Sequence, residues 1–402
     1  MARKDRKGRN LRTGESQRKD GIYMYRYTDE KAGVRRAIYD ADLKSLREKE
    51  RQITREQQDG IITTAKEKRL TVNTLFERYM ESLKLAESTR ANYFAIWKNQ
   101  VSPVIGQMRV VQVRSSDIKL LYSSLTKQGY SHSTIKLIHN LIYPCFEMAV
   151  GDDIIRKNPA KAVLKDQGKA PKKKEALSRL QQKKLLSFVE QSDVYKKHLP
   201  MLQVMLGTAC RCGELIGLTW KDVDMGKKEV HIHCQLIYKD YGDGYRFHVS
   251  KPKTEAGNRT IPMSQAVYEA FQVQKRLNFM LGIPRTFEIE ERSDFIFMSK
   301  SGRPLMPSAV NDILSNLITA YNRQEEEVAE QEHREAELLP MISAHTMRHT
   351  ACTRMAESGM DMKIVQYIMG HSSIRMTMEI YNHITDQSRV EREVAKMDNL
   401  VL

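Results

Sequence analysis

The residues His345-Thr346-Met347-Arg348-His349, then Gly370-His371-Ser372-Ser373, then Glu379-Ile380-Tyr381-Asn382-His383 bring a tyrosine, an arginine and several histidines into one stretch, 345–383. A second arginine, Arg211, lies far upstream in Thr208-Ala209-Cys210-Arg211-Cys212-Gly213-Glu214-Leu215. Between them runs Lys251-Pro252-Lys253-Thr254-Glu255-Ala256-Gly257-Asn258-Arg259. Cations that neutralise a five-coordinate phosphorus, together with a phenol oxygen as nucleophile, are what attack on a phosphodiester requires.

Each residue type suits one task in that chemistry. A phenol with a pKa of about 10 is mostly protonated at neutral pH, so Tyr381 needs a base and a positive field. His345 is the candidate base. Arg211 and Arg348 carry planar, permanently charged forks that can grip two non-bridging oxygens of one phosphate. Lys253, on a turn between two expected strands, is the candidate proton donor to the leaving oxygen, with Lys251 its rival. His371 can hydrogen-bond the same phosphate. Taken singly, each has a bland alternative: a surface arginine, a solvated turn lysine, a core tyrosine.

No metal or other cofactor is expected. Asp222 with Asp224 and Asp152 with Asp153 read as turn residues, no Walker phosphate-binding loop is present, and Cys210-x-Cys212 with His231 and His233 is not convincingly spaced for zinc. The chain of 402 residues has 66 Lys and Arg against 50 Asp and Glu, a formal net charge of +16. Such an excess points to a polyanionic partner, nucleic acid first, because Lys and Arg displace phosphate counterions. Five scattered cysteines do not form a secreted disulfide framework, and neither a signal peptide nor an apolar run of about 18 residues is found. A cytoplasmic protein with no membrane partner is expected.

The first twelve residues, with Arg3, Lys4, Arg6, Lys7, Arg9 and Arg12 against Asp5 alone, read as a flexible basic arm. Alternating aromatic and polar residues over 22–27 and 34–39 predict a hairpin, with a third strand at 11–14. Asp42 caps a helix over 43–57. From Thr71 the spacing of Val72, Leu75, Phe76 and Tyr79, then of Ile96, Trp97 and Val101, of Ile118, Leu121 and Leu125, and of Ile135, Ile138, Ile142 and Phe146 predicts four or five helices. A polar stretch over 165–175 reads as a linker whose Lys172, Lys173 and Lys174 touch phosphate. Beyond it, helices flank Arg211 and strands are expected at 229–235, 245–249 and 259–261. The Glu-rich segment 323–339 reads as an exposed helical extension without an assigned role.

Taken in order, these boxes resemble the tyrosine recombinases, the integrase family of phages and conjugative elements. Arg211 with Trp220 after it, Lys253 ahead of Arg259-Thr260-Ile261-Pro262, His345-x-x-Arg348-His349-Thr350, and Met369-Gly370-His371 with Tyr381 after it are similar to the family's motifs. Ala209-Cys210 stands where the family commonly has Gly-Leu. The resemblance implies Tyr381 as nucleophile of a 3′-phosphotyrosyl link formed without metal or ATP, Arg211 and Arg348 as phosphate clamps, Lys253 as general acid, His345 as acid/base, His371 as phosphate ligand and Glu214 as buttress.

It further implies a multidomain α+β protein. Residues 1–65 would form a small three-stranded β-sheet plus helix, an arm-type DNA-binding domain with a basic tail, similar to those of integrases from conjugative transposons of Gram-positive bacteria. Residues 70–164 would be an all-α core-binding domain, 165–176 a linker, 177–386 a mostly α catalytic domain with a small antiparallel sheet, and 387–402 a tail packing on a neighbouring protomer. An antiparallel sheet fits the major groove, and Tyr23, Tyr25, Arg26, Arg35 and Arg36 are its candidate contacts. Implied partners are duplex DNA at core and arm sites, a homo-tetramer in synapsis, an excisionase and DNA-bending host proteins, in a bacterial, nucleoid-associated setting. A type IB topoisomerase or a non-catalytic DNA-binding regulator is the alternative.

Overall fold

The structure, a computed structural model, describes residues 3–29, 34–58, 69–165, 168, 176–242, 244–252 and 254–381. The chain separates into two compact units, Met1–Lys172 and Lys173–Leu402.

At the start of the first unit, β1 (Glu15–Gln17), β2 (Tyr23–Asp29) and β3 (Val34–Asp40) form an antiparallel sheet in the order β1-β2-β3. The helix α1 (Leu43–Gln58) begins where the Asp42 carboxylate accepts the Lys44 and Ser45 amides at 2.9 and 3.1 Å, and it lays Leu43 and Leu46 against Tyr23. Side chains alternate across a strand, so Tyr23, Tyr25 and Tyr27 share the α1 side of the sheet while Met24, Arg26 and Thr28 share the other. The register pairs Met24 with Tyr39 and Thr28 with Arg35, which places Arg35 and Tyr39 beside Arg26 on the open face.

Three expectations need correction here. The third strand lies at Glu15–Gln17 rather than 11–14, because Gly14, at φ +87°, makes a turn tight against Tyr25 and pairing begins only after it. The Glu15 carboxylate is buried and held by Arg47 Nε at 2.8 Å and the Arg12 amide at 2.7 Å, which ties β1 to α1. The basic arm is folded from Arg3 to Asn10 rather than free. Asp5 Oδ1 accepts the Lys7 and Arg9 amides at 2.9 and 2.7 Å, and Oδ2 accepts Arg9 Nε at 2.8 Å and the Tyr23 hydroxyl at 2.9 Å. Tyr23 is consequently only 3% exposed, and its ring and hydroxyl serve the core instead of a groove.

From Arg69 on, the described residues of the first unit are mostly helical. They form α2 (Val72–Ser82), α3 (Glu87–Ile96), α4 (Ser115–Lys127) and α5 (His132–Gly151). Thr71 and Ser131 cap α2 and α5 through their hydroxyls. The helix α3 runs on as a wider π-helix over Trp97–Gly106, the turn that contains Pro103, whose missing N–H an α-helix would have needed. The apolar positions picked out by period converge: Phe76 stacks on Trp97 at 4.0 Å, and Val101, Ile118, Leu121, Ile138 and Phe146 close the core around them.

The second unit opens with α6 (Arg179–Gln191), α7 (Leu199–Thr208) and α8 (Cys212–Gly217). It continues with β4 (Val223–Asp224), β5 (Glu229–Ile232), β6 (Gln235–Asp240), β7 (Tyr245–Ser250) and β8 (Arg259–Pro262), and finishes with α9 (Gln265–Met280), α10 (Pro307–Gln331), α11 (Ala344–Glu357), α12 (Met362–Met369) and α13 (Ile374–Tyr381). A β4-β5-β8 sheet and a β6-β7 hairpin stand against helices, with Leu202, Leu215, Phe271, Phe295, Leu314 and Met347 in the core. The strand expected at 229–235 is instead β5 ending at Ile232 and β6 beginning at Gln235, a break at His233-Cys234 that no Gly or Pro marks in the sequence. In the Glu-rich segment Arg334 binds Glu325 at 2.5 Å and Glu332 at 2.6 Å, so the chain folds back after α10 and Leu339 is buried.

Burial works against the charge on Asp5, but the bonds from Arg9 and Tyr23 outweigh it and hold the carboxyl near 2, below its usual 3.8. A depressed acid stabilises fully above its unfolded pKa and loses that contribution as pH falls through the folded value. In amide hydrogen exchange, the Lys7 and Arg9 N–H groups should stay protected at pH 4 and open as pH approaches 2. The Asp5→Ala variant should lose that protection even at pH 7.

Candidate active site

The first arginine is placed by local chain geometry. The helix α7 stops at Ala209, which takes the left-handed conformation (φ 49°, ψ 26°), and Arg211 then caps α8 in extended backbone. The left-handed region favours glycine, which gives a conformational reason for the residue the family commonly has there. Glu214, at the third position of α8, accepts the Arg211 backbone amide at 2.9 Å and its Nη1 at 2.7 Å. Arg211 Nη2 reaches across to the Gly370 carbonyl at 3.0 Å, while 37% of the side chain stays open to solvent.

Arg348 enters from α11, whose start is capped by the Ser343 hydroxyl on the Thr346 amide at 3.3 Å. Its Nη1 donates to the Ala209 carbonyl at 2.5 Å and its Nη2 to the Met369 carbonyl. Both acceptors are neutral, so the residue is 3% exposed with its charge uncompensated by them. Burial, and then repulsion from Arg211, bring its pKa down to about 10, which still leaves it charged at neutral pH. His345, one turn earlier, is exposed, and its ring meets His349 edge-on at 4.2 Å. The two residues at 345 and 348 therefore face different surroundings although they are three apart.

Gly370 closes α12 at φ 60° and turns the chain into His371, 5% exposed, whose Nδ1 lies 3.0 Å from the buried Thr377 hydroxyl of α13. Gln366 fastens the turn by accepting the His371 amide and donating to its carbonyl. Burial and then the fields of Arg348 and Arg211 push the imidazole down to about 4, so it is neutral at physiological pH. Tyr381, the last residue of α13, is four positions beyond Thr377, and at 3.6 residues per turn the two positions lie on the same side of the helix.

The structure thus brings together Arg211, Glu214, Arg348 and His371. Lys253 and Lys172, Lys173 and Lys174 lie outside the described residues, as does the tail 387–402. In the N-terminal sheet Arg26 and Arg35 are exposed on the open face, Tyr25 and Arg36 are half-buried on the α1 side, and Tyr23 is in the core. Sequence reasoning missed Tyr39, which is 49% exposed on the open face under the Arg18 guanidinium, although the alternation that selected Arg26 also selects it. It also missed Arg259, buried on β8 with Nη2 2.8 Å from Glu214 Oε2. The Arg-x-Ile-Pro after the lysine hairpin was its available signal.

A cluster of guanidinium groups beside a tyrosine-bearing helix, on a mostly helical lobe with small antiparallel sheets, is the catalytic domain of a tyrosine site-specific recombinase. The chain belongs to the phage integrase family, whose model matches residues 175–388. Residues 1–57 match the DNA binding domain of Tn916 integrase. The transposase from transposon Tn1545 of Streptococcus agalactiae is 33% identical over 96% of this chain and 94% of its own length, and that from Tn916 of Enterococcus faecalis is equally similar. The Tn1549 transposon integrase (residues 82–397) in complex with a circular intermediate DNA superposes with a TM-score of 0.69 at 32% identity, over 81% of this chain and 99% of that one. A lambda integrase tetramer bound to a Holliday junction shares the fold at 17% identity, with a TM-score of 0.54 over 92% of this chain and 95% of that one.

Glu214 is mostly desolvated, yet the bonds from Arg259 and Arg211 outweigh burial and hold its pKa below the usual carboxylate value. Replacing it by a neutral isostere leaves buried guanidinium charge without a counterion. Glu214→Gln should therefore cost about 3–5 kcal/mol in urea unfolding of the full chain. His371 binds its proton more weakly folded than unfolded, so stability should fall as pH drops from about 6.5 to about 4. That slope should flatten in His371→Gln, measured by thermal unfolding across the same range.

Proposed function

We propose that this protein is the integrase of a bacterial mobile element, and that it cuts and rejoins duplex DNA with Tyr381 as nucleophile. The supporting observation is the meeting of Arg211 and Arg348 on the carbonyls of Met369 and Gly370, next to His371, which lies ten residues ahead of Tyr381. His345 takes the phenol proton, and the phenolate oxygen bonds to phosphorus as the bond from phosphorus to the 5′ oxygen breaks. Lys253 supplies the proton to that oxygen. Arg211 and Arg348 bear the charge on the non-bridging oxygens, and His371 donates to one of them from Nε2 while its Nδ1 accepts the Thr377 hydroxyl. Each 3′-phosphotyrosyl bond retains the energy of the phosphodiester it replaced, so attack by a free 5′ hydroxyl reseals the strand.

The wider reading follows the relatives. Residues 70–164 and residues 177–386 each bind the core site, and Lys172, Lys173 and Lys174 touch its phosphates. The open face of the N-terminal sheet enters the major groove of an arm site, led by Arg26 and Arg35 with Tyr39 added, while Tyr25 and Arg36 lie on the α1 side of the sheet. Four protomers act on two duplexes, each tail 387–402 resting on a neighbour, with an excisionase and DNA-bending host proteins as partners, at the nucleoid in the cytoplasm.

A nicked suicide substrate carrying an element end tests the chemistry. Wild type should accumulate a protease-sensitive covalent adduct, and Tyr381→Phe should bind the same DNA and form none; an adduct on the phenylalanine variant would remove Tyr381 as nucleophile. Arg211→Lys keeps the charge without the fork and should lower the cleavage rate by about 10²-fold or more. The arm reading has its own test in the double variant Arg26→Ala, Arg35→Ala. Affinity for arm-site DNA should fall by at least about tenfold, with a shallower salt dependence, while cleavage of an isolated core site stays at the wild-type rate.

A further inference from the structure

Arg259 is wholly buried on β8, and its three bonds reach three different parts of the site. Nη2 donates to Glu214 Oε2 at 2.8 Å, Nε to the Ile368 carbonyl at 2.7 Å, and Nη1 to the Gly257 carbonyl at 3.2 Å. A guanidinium so far from water is tolerated only when its charge and its donors are met, and Glu214 is the carboxylate that meets it. The same carboxylate holds Arg211 through its other oxygen. One negative charge is therefore divided between an arginine that faces solvent and one that does not.

The second line of contact runs through the turn after α12. A methyl group at Gly370 would lie 2.9 Å from Arg259 Nη1 and 3.0 Å from the Ala256 carbonyl, so the turn rests directly on Arg259. The Gly370 carbonyl on the other side accepts Arg211 Nη2. Arg211 is thus held at two points, Glu214 and Gly370, and Arg259 lies beneath both.

We propose that Arg259 is a positioning residue of the recombinase, which sets the pose and effective charge of Arg211 at the scissile phosphate by sharing Glu214 and propping the 368–371 turn. The proposal rests on the strand-cleavage reading above. Without Arg259, Glu214 turns its full charge on Arg211 and the Gly370 carbonyl loses its support. The fork that should meet the phosphate is then partly neutralised and no longer aimed.

The test uses the full chain and two nicked suicide substrates, one with an ordinary scissile phosphodiester and one with a racemic methylphosphonate there. The methyl group removes the negative charge that Arg211 neutralises, so a defect acting through Arg211 shrinks on that substrate, whereas a loosened fold slows both alike. In single-turnover adduct formation, Arg259→Met should lose about a hundredfold on the phosphodiester and less than about tenfold on the methylphosphonate, with DNA affinity unchanged. Arg259→Lys, which keeps the charge, should fall between wild type and Arg259→Met on the phosphodiester. Equal losses on the two substrates, a near-normal rate on the phosphodiester, or failure of both variants to fold would overturn the proposal. If wild type itself forms no adduct on the phosphodiester, the strand-cleavage reading falls, and this proposal with it.

Discussion

One buried carboxylate, that of Glu214, stands between Arg211 and Arg259, with Arg348 packed close by. Removing charged groups from water is costly, and three guanidinium groups in so small a volume would repel one another without an anion among them. A second carboxylate would satisfy them better and would also cancel the positive field a phosphate requires. Among the described residues the arrangement keeps one. The remaining donors of Arg211 and Arg348 go to backbone carbonyls at Ala209, Met369 and Gly370, which satisfy hydrogen bonds without adding charge.

Those carbonyls are available because two helices end in the left-handed conformation, α7 at Ala209 and α12 at Gly370. A helix terminus leaves its last carbonyls without intrahelical partners, and here arginines from other elements take some of them. The pocket is in that sense built from helix ends. The neutral state of His371 belongs to the same balance, since burial and the fields of Arg348, Arg211 and Arg259 leave no room for another cation.

The N-terminal sheet solves a similar problem at smaller scale. Its segment from Arg3 to Asn10 carries many cations and is ordered by one acid, Asp5, which gathers two backbone amides, a guanidinium and the Tyr23 hydroxyl. Composition suggested a free arm because charge density is visible in a sequence and a long-range bond from Asp5 to Tyr23 is not. The pleat then sorts the aromatic and basic residues, sending Tyr23 inward and Arg26, Arg35 and Tyr39 outward.

Period alone determined much of this protein. The spacing of Phe76, Trp97, Ile118 and Phe146 defined the helices and the faces they bury, because a 3.6-residue repeat is a local property of the chain. The order of Arg211, Lys253, His345, Arg348, His371 and Tyr381 likewise named a family. What only tertiary structure decided was which side chains share partners. The resemblance gave Glu214 as a buttress, and nothing local announced Arg259, forty-five positions away, on one of its oxygens. Nor could spacing tell that His345 would be exposed and Arg348 buried. Those outcomes depend on desolvation and on contacts between distant segments, which exist only once the chain has closed on itself.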